Sequence, residues 1–113
     1  MKDFILILRE DFDDIQRLST EEMQKLVQDH MQWVQELSAA GNFKAGDGLD
    51  SNGAVIKGKD RLVLDGPYLE AREGIGGYYI IQAADLKDAI ELSKGCPTLS
   101  HGGHVEVRPI MIY

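Results

Sequence analysis

His30 is the residue whose type and position most clearly ask for chemistry. On a helix turning about 100° per residue, Met23, Leu26, Val27, Val34 and Leu37 fall on one apolar stripe. His30 lies in the middle of that stripe, where packing alone would place a leucine. Burial disfavours the charged imidazole, so the ring stays a neutral base near neutral pH. That is the state a general base requires. The alternative is a core histidine satisfied by a backbone carbonyl. Trp33 and Met31 flank the stripe, and Trp33 either packs the core or lines a pocket beside His30.

A second candidate is Asp65, in Asp65-Gly66-Pro67-Tyr68. A carboxylate that ends a strand just before an enforced turn can be aimed into the cleft between strand and helix. There it would orient His30 or hold a substrate cation; otherwise it caps its own turn. Glu70-Ala71-Arg72-Glu73 is either a solvated face or the source of an arginine whose planar fork clamps an anionic group. Tyr68 and Trp33 join Arg72 as the expected substrate contacts.

Other motifs carry less. His101 and His104 are spaced like metal ligands, but Gly-Gly separates them and no cysteine or carboxylate sits at a fitting offset, so a flexible turn is expected and no metal. Asp47, Asp50 and Asn52 fail the calcium-loop register, which would put Lys59 where a glutamate is needed. Gly74-Ile75-Gly76-Gly77 lacks dinucleotide spacing and is expected to be a backbone hinge, with no nucleotide cofactor implied. Cys96 has only Lys94 as a basic neighbour, so the sequence offers no support for a reactive thiol there.

These residues must be positioned by a small frame. The chain has 113 residues, enough for one domain with a core. Twelve Lys+Arg against 19 Asp+Glu leave a net charge of −7, the wrong sign for nucleic acid or an anionic membrane. With 43% hydrophobic and 27% charged residues the composition is globular. A single cysteine excludes an intrachain disulfide. The apolar run Phe4–Leu8 is too short for a signal-peptide core or a membrane span, so a cytoplasmic protein is expected.

That same run predicts a central strand. Ser19 and Glu22 form a capping-box pair that opens a helix over 20–40, closed by Gly41. Lys44–Leu49 reads as a strand, and Ala54–Ile56 with Leu62–Leu64 as a β-hairpin. Tyr78–Ile81 predicts a further strand and Ala84–Lys94 a second helix. His104–Tyr113 reads as a last strand whose Pro109 fits an edge or a bulge. Without the hairpin the order is βαββαβ, an α+β ferredoxin-like fold. Helices then cover one face of the sheet, and a second copy of the chain is expected on the other.

The block Leu64-Asp65-Gly66-Pro67-Tyr68-Leu69-Glu70-Ala71-Arg72-Glu73, running into Gly76-Gly77-Tyr78-Tyr79, resembles the Asp-Gly-Pro-Phe signature of the YCII-related family. Glu21-Glu22-Met23, Ala39-Ala40-Gly41 and Val105-Glu106-Val107-Arg108-Pro109 resemble that family as well. Tyr68 stands where this branch has phenylalanine, and Ala71 where it often has a hydroxyl. The resemblance implies a dimeric α+β barrel and a histidine–aspartate pair in a cleft, falling on His30 and Asp65. It also implies association of some relatives with sigma-factor systems. The expectation is a homodimer that performs cofactor-free proton transfer or elimination on a small anionic molecule. The competing expectation is a non-catalytic ligand-binding or regulatory module.

Overall fold

The apolar run becomes the middle of β1 (Lys2–Asp11). Alternate strand residues face opposite ways, so Phe4, Leu6 and Leu8 enter the core while Ile5 and Ile7 lie half-buried on the other face. The computed structural model describes residues 1–66 and 73–113. After β1 come α1 (Phe12–Gln16), α2 (Thr20–Ala39), β2 (Phe43–Gly48), β3 (Ala54–Lys57) and β4 (Leu62–Asp65). Then follow β5 (Glu73–Ala83), α3 (Leu86–Ser93), a 3₁₀ turn (Pro97–His101) and β6 (His104–Pro109).

The ends of α2 are fixed by local chemistry. Ser19 accepts from the Glu22 amide while the Glu22 carboxylate accepts from the Ser19 amide, each at 3.1 Å. At the other end Gly41 takes φ +78°. The Asn42 amide then reaches Leu37 O at 2.8 Å and the Gly41 amide reaches Ser38 O at 3.1 Å. This paired closure needs a residue that tolerates the left-handed region, and glycine does so without a Cβ penalty.

The strands of the main sheet run in the order β2-β5-β1-β6, all antiparallel. With the separate β3–β4 hairpin inserted before β5, this is the expected ferredoxin-like βαββαβ arrangement of an α+β fold. β6 is an edge strand, so Pro109 costs the sheet no interior ladder bond. The molecule measures 44 × 43 × 18 Å, the thickness of a sheet carrying one layer of helices. Trp33 and Leu37 of α2 and Ala89 of α3 pack on Phe4, Leu6, Tyr79 and Ile81. Ile5 pairs with Ile80 and Ile7 with Tyr78 on the opposite face. Ion pairs Arg9–Glu106 (3.2 Å) and Lys44–Asp3 (2.6 Å) accompany them.

Three expectations need correction, and one element is added. The buried line of α2 is Leu26, Trp33 and Leu37, whereas Val27 is 50% exposed, so the stripe is turned toward Trp33. The added element is α1, in the segment after β1, where Asp11 accepts hydrogen bonds from the amides of Asp13 and Asp14. The glycines at 74–77 are not a hinge but part of β5. Likewise the His101–His104 turn is tightly closed: Gly102 has φ +78°, and a side chain at Gly103 would strike Thr98 and the Arg9 carbonyl.

Candidate functional site

A cleft of about 770 Å³ opens between α2 and the β2–β5–β1 part of the sheet, with Phe12 and Ile15 of α1 at one end. Its floor exists because of glycine. Gly46, Gly48, Gly76 and Gly77 all line it, and none carries a side chain to fill it. Two of the vacancies are used by side chains: a Cβ at Gly46 would overlap the Tyr79 ring, and one at Gly76 would strike the Glu10 carboxylate. From α2, Met23, Val27 and Met31 supply apolar wall. The exposure of Val27 and Met31 is therefore exposure into a cleft, and the helix stripe is split between core and cavity.

His30 belongs to the cavity half. It is half-buried on the wall, and its Nδ1 lies 2.7 Å from the Tyr79 hydroxyl. The Tyr79 ring is fixed by three neighbours. His30 stacks on it at 5.9 Å, and Trp33 and Phe43 meet it edge-on at 5.2 and 6.4 Å. Burial pushes the Tyr79 phenol up to about 12, so it keeps its proton at any ordinary pH. Burial moves His30 the other way, below the ordinary histidine value, with the nearby positive field of His101 adding to the effect. Among the described residues no side chain or carbonyl bonds His30 Nε2, which leaves that nitrogen for a ligand. When Nδ1–H donates to the phenol oxygen, Nε2 carries the free lone pair of a base.

Glu10 continues the inward alternation of Phe4, Leu6 and Leu8 and brings a carboxylate to the cleft. Burial raises its pKa above the usual glutamate range. Cys96, 1% exposed, has its thiol pushed up by burial and stays protonated, so it is no nucleophile.

The expected site residues separate. His30 lines the cleft. Asp65 ends β4, exposed on the hairpin; it pairs with Ala54 and does not line the cleft, so Tyr79 holds His30 in the place expected for Asp65. The β-hairpin register that carries Asp65 away depends on strand pairing, which the Asp-Gly-Pro turn does not reveal. Trp33 is 7% exposed, in the core behind Tyr79, and does not face the cleft. Tyr68 and Arg72 lie outside the described residues. Tyr79 and Glu10 were missed as site residues. The available signal was strand alternation, since each is a polar-tipped residue in an inward-facing register. Among the described residues no cluster of three or more His, Cys, Asp or Glu is placed to hold a metal ion. None of the described helices is long and apolar enough to cross a membrane.

Two expected results follow from this geometry. Gly46→Ala forces the Tyr79 ring out of its place between Trp33 and Phe43, as overpacking does elsewhere, and is expected to cost about 1–3 kcal/mol. Thermal denaturation checks the cost, and loss of the His30–Tyr79 bond appears as a shift of the His30 ring resonances. The second concerns pH. Because the folded pKa of His30 is depressed, its contribution to stability is complete above the unfolded value of 6.5. As pH falls through that value toward the lower folded one, the unfolded chain binds the proton first and stability declines. An NMR titration of His30 with midpoint at or above 6.5 would contradict this.

The YCII-related domain model matches residues 4–112, nearly the whole chain. A curated relative, an uncharacterised protein of Rhizobium meliloti (strain 1021), is 33% identical over 55 residues. That match covers 48% of this chain and 44% of the relative, so the chain spans less than half the length of the protein it resembles.

Proposed function

Since the chain belongs to the YCII-related domain family, we propose that it is a small homodimeric cytoplasmic protein that transfers a proton on an organic molecule held in its cleft. His30 is the base or acid, and Tyr79 sets its tautomer. The observation that supports this is the 2.7 Å His30–Tyr79 contact on the wall of a largely apolar cavity. An imidazole kept neutral by burial, with Nε2 bonded to no group among the described residues, suits removal of a proton next to a carbonyl. As Nε2 gains a proton, the phenol oxygen accepts from Nδ1–H and stabilises the imidazolium. A neutral phenol does this less strongly than a carboxylate would.

Dimerisation through the face that carries Ile5, Ile7, Tyr78 and Ile80 would bury what the helices leave uncovered. Arg72, the expected anion contact, lies outside the described residues. The test is solvent-deuterium incorporation. Native protein is incubated in D₂O with small compounds that bear a C–H beside a carbonyl, and exchange is followed by NMR. Exchange above the buffer rate supports the reading; buffer-rate exchange across the set, with ligand shifts at the cleft, favours a non-catalytic binding module.

A further inference from the structure

We propose that the cleft recognises a small apolar amine, with its ammonium group received by Glu10. This rests on the reading of the cleft as the ligand site and names the class of molecule it takes. Glu10 lies at the cleft floor, over Gly76, where only the missing side chain leaves room for its carboxylate. Among the described residues it forms no ion pair. The adjacent Arg9 points to the opposite face of the sheet and binds Glu106 at 3.2 Å. No lysine or arginine lines the cleft among the described residues.

A half-buried carboxylate without a cation is costly, and a ligand that brings N–H donors and a positive charge relieves that cost. Burial raises the Glu10 pKa against the opposing effect of the neutral Thr98 hydroxyl, and an ammonium group would favour the charged carboxylate further. The rest of the lining suits the organic part. Phe12, Phe43 and Tyr79 present rings, which attract a cation through their faces as well as packing apolar groups. His101, exposed on the 3₁₀ turn, is the side chain whose positive form would lower the Glu10 pKa, and it is not among the lining residues. An anionic ligand would set a second negative charge beside the first in a largely apolar cleft, which both charges oppose. The net charge of −7 draws cations to the whole molecule.

The experiment uses benzylamine, benzyl alcohol and benzoate, which share a ring and differ in charge. Each is titrated at neutral pH into the ¹⁵N-labelled protein, with the amides of Gly46, Gly48, Gly76 and Gly77 as reporters. Benzylamine is expected to bind at least about tenfold more tightly than the other two, the equivalent of one charge-assisted hydrogen bond. Glu10→Gln is expected to remove that preference. Benzoate binding as well as benzylamine, or a preference that survives Glu10→Gln, overturns the amine assignment and leaves the cleft as a ligand site. If none of the three moves the glycine amides, both readings fall. Should Glu10→Gln not fold, the three-probe comparison on the native protein decides.

Discussion

Trp33→Ala is expected to remove about 3–5 kcal/mol of folding stability, as truncation of a large buried aromatic does. Against a total of about 5–15 kcal/mol for a domain of this kind, that is a fifth or more of the whole. The indole is 7% exposed and meets Tyr79 edge-on at 5.2 Å, so the deletion opens a cavity behind the ring that holds His30. Gly95 reinforces the point, because a Cβ there would come within 2.8 Å of the indole Nε1, and this glycine lets the turn after α3 close over Trp33. Urea denaturation followed by circular dichroism measures the loss. A pocket-lining tryptophan would behave differently: its removal would weaken ligand binding and change stability by less than about 1 kcal/mol. The latter outcome would return Trp33 to the cleft and overturn its assignment to the core.

The frame was legible because its signals are local. The run Phe4–Leu8, the Ser19/Glu22 pair, Gly41 at the helix end and Pro109 in an edge strand each act within a few residues. Their physics survives without knowledge of the partner. The αβ order then constrained the topology, since few arrangements of βαββαβ satisfy short, uncrossed connections. The site was legible in one residue. His30 betrayed itself by interrupting an apolar stripe, and it does line the cleft.

Its partner was not legible, because pairing across 49 residues depends on which sheet position lies under the helix. Asp65 looked suitable by type and by its turn, yet the hairpin holds it on an exposed strand. Trp33 misled for a related reason. Positions 30 and 33 are neighbours on one helical turn, but they fall on either side of the boundary between cavity and core. That boundary is set by four glycines on two strands, and a helical wheel contains no information about them. Glycine runs are easily assigned to flexibility. Here the absent side chains instead make the floor on which Glu10 and Tyr79 are placed.

His30→Ala is expected to lower the proton-transfer rate by about 10²–10⁴-fold, the usual contribution of a positioned acid–base group. Its effect on stability should be far smaller. The ring is half-buried and makes one neutral hydrogen bond, worth about 1 kcal/mol, so the variant should remain folded with a nearly native melting curve. That separation of rate from stability marks a group that acts on the ligand and not through the scaffold. Tyr79→Phe supplies the control. It removes the hydroxyl while keeping the ring between Trp33 and Phe43, so it should slow the reaction by roughly five- to tenfold, the value of one such bond. The pH profile gives an independent readout. If neutral His30 is the base, activity falls as pH drops through its depressed pKa, below 6.5, and Tyr79→Phe displaces that limb because the bond to Nδ1 is gone. A structural histidine would leave the limb unmoved. Turnover in His30→Ala equal to that of the native protein would remove this residue from the mechanism, and with it the role assigned to Tyr79.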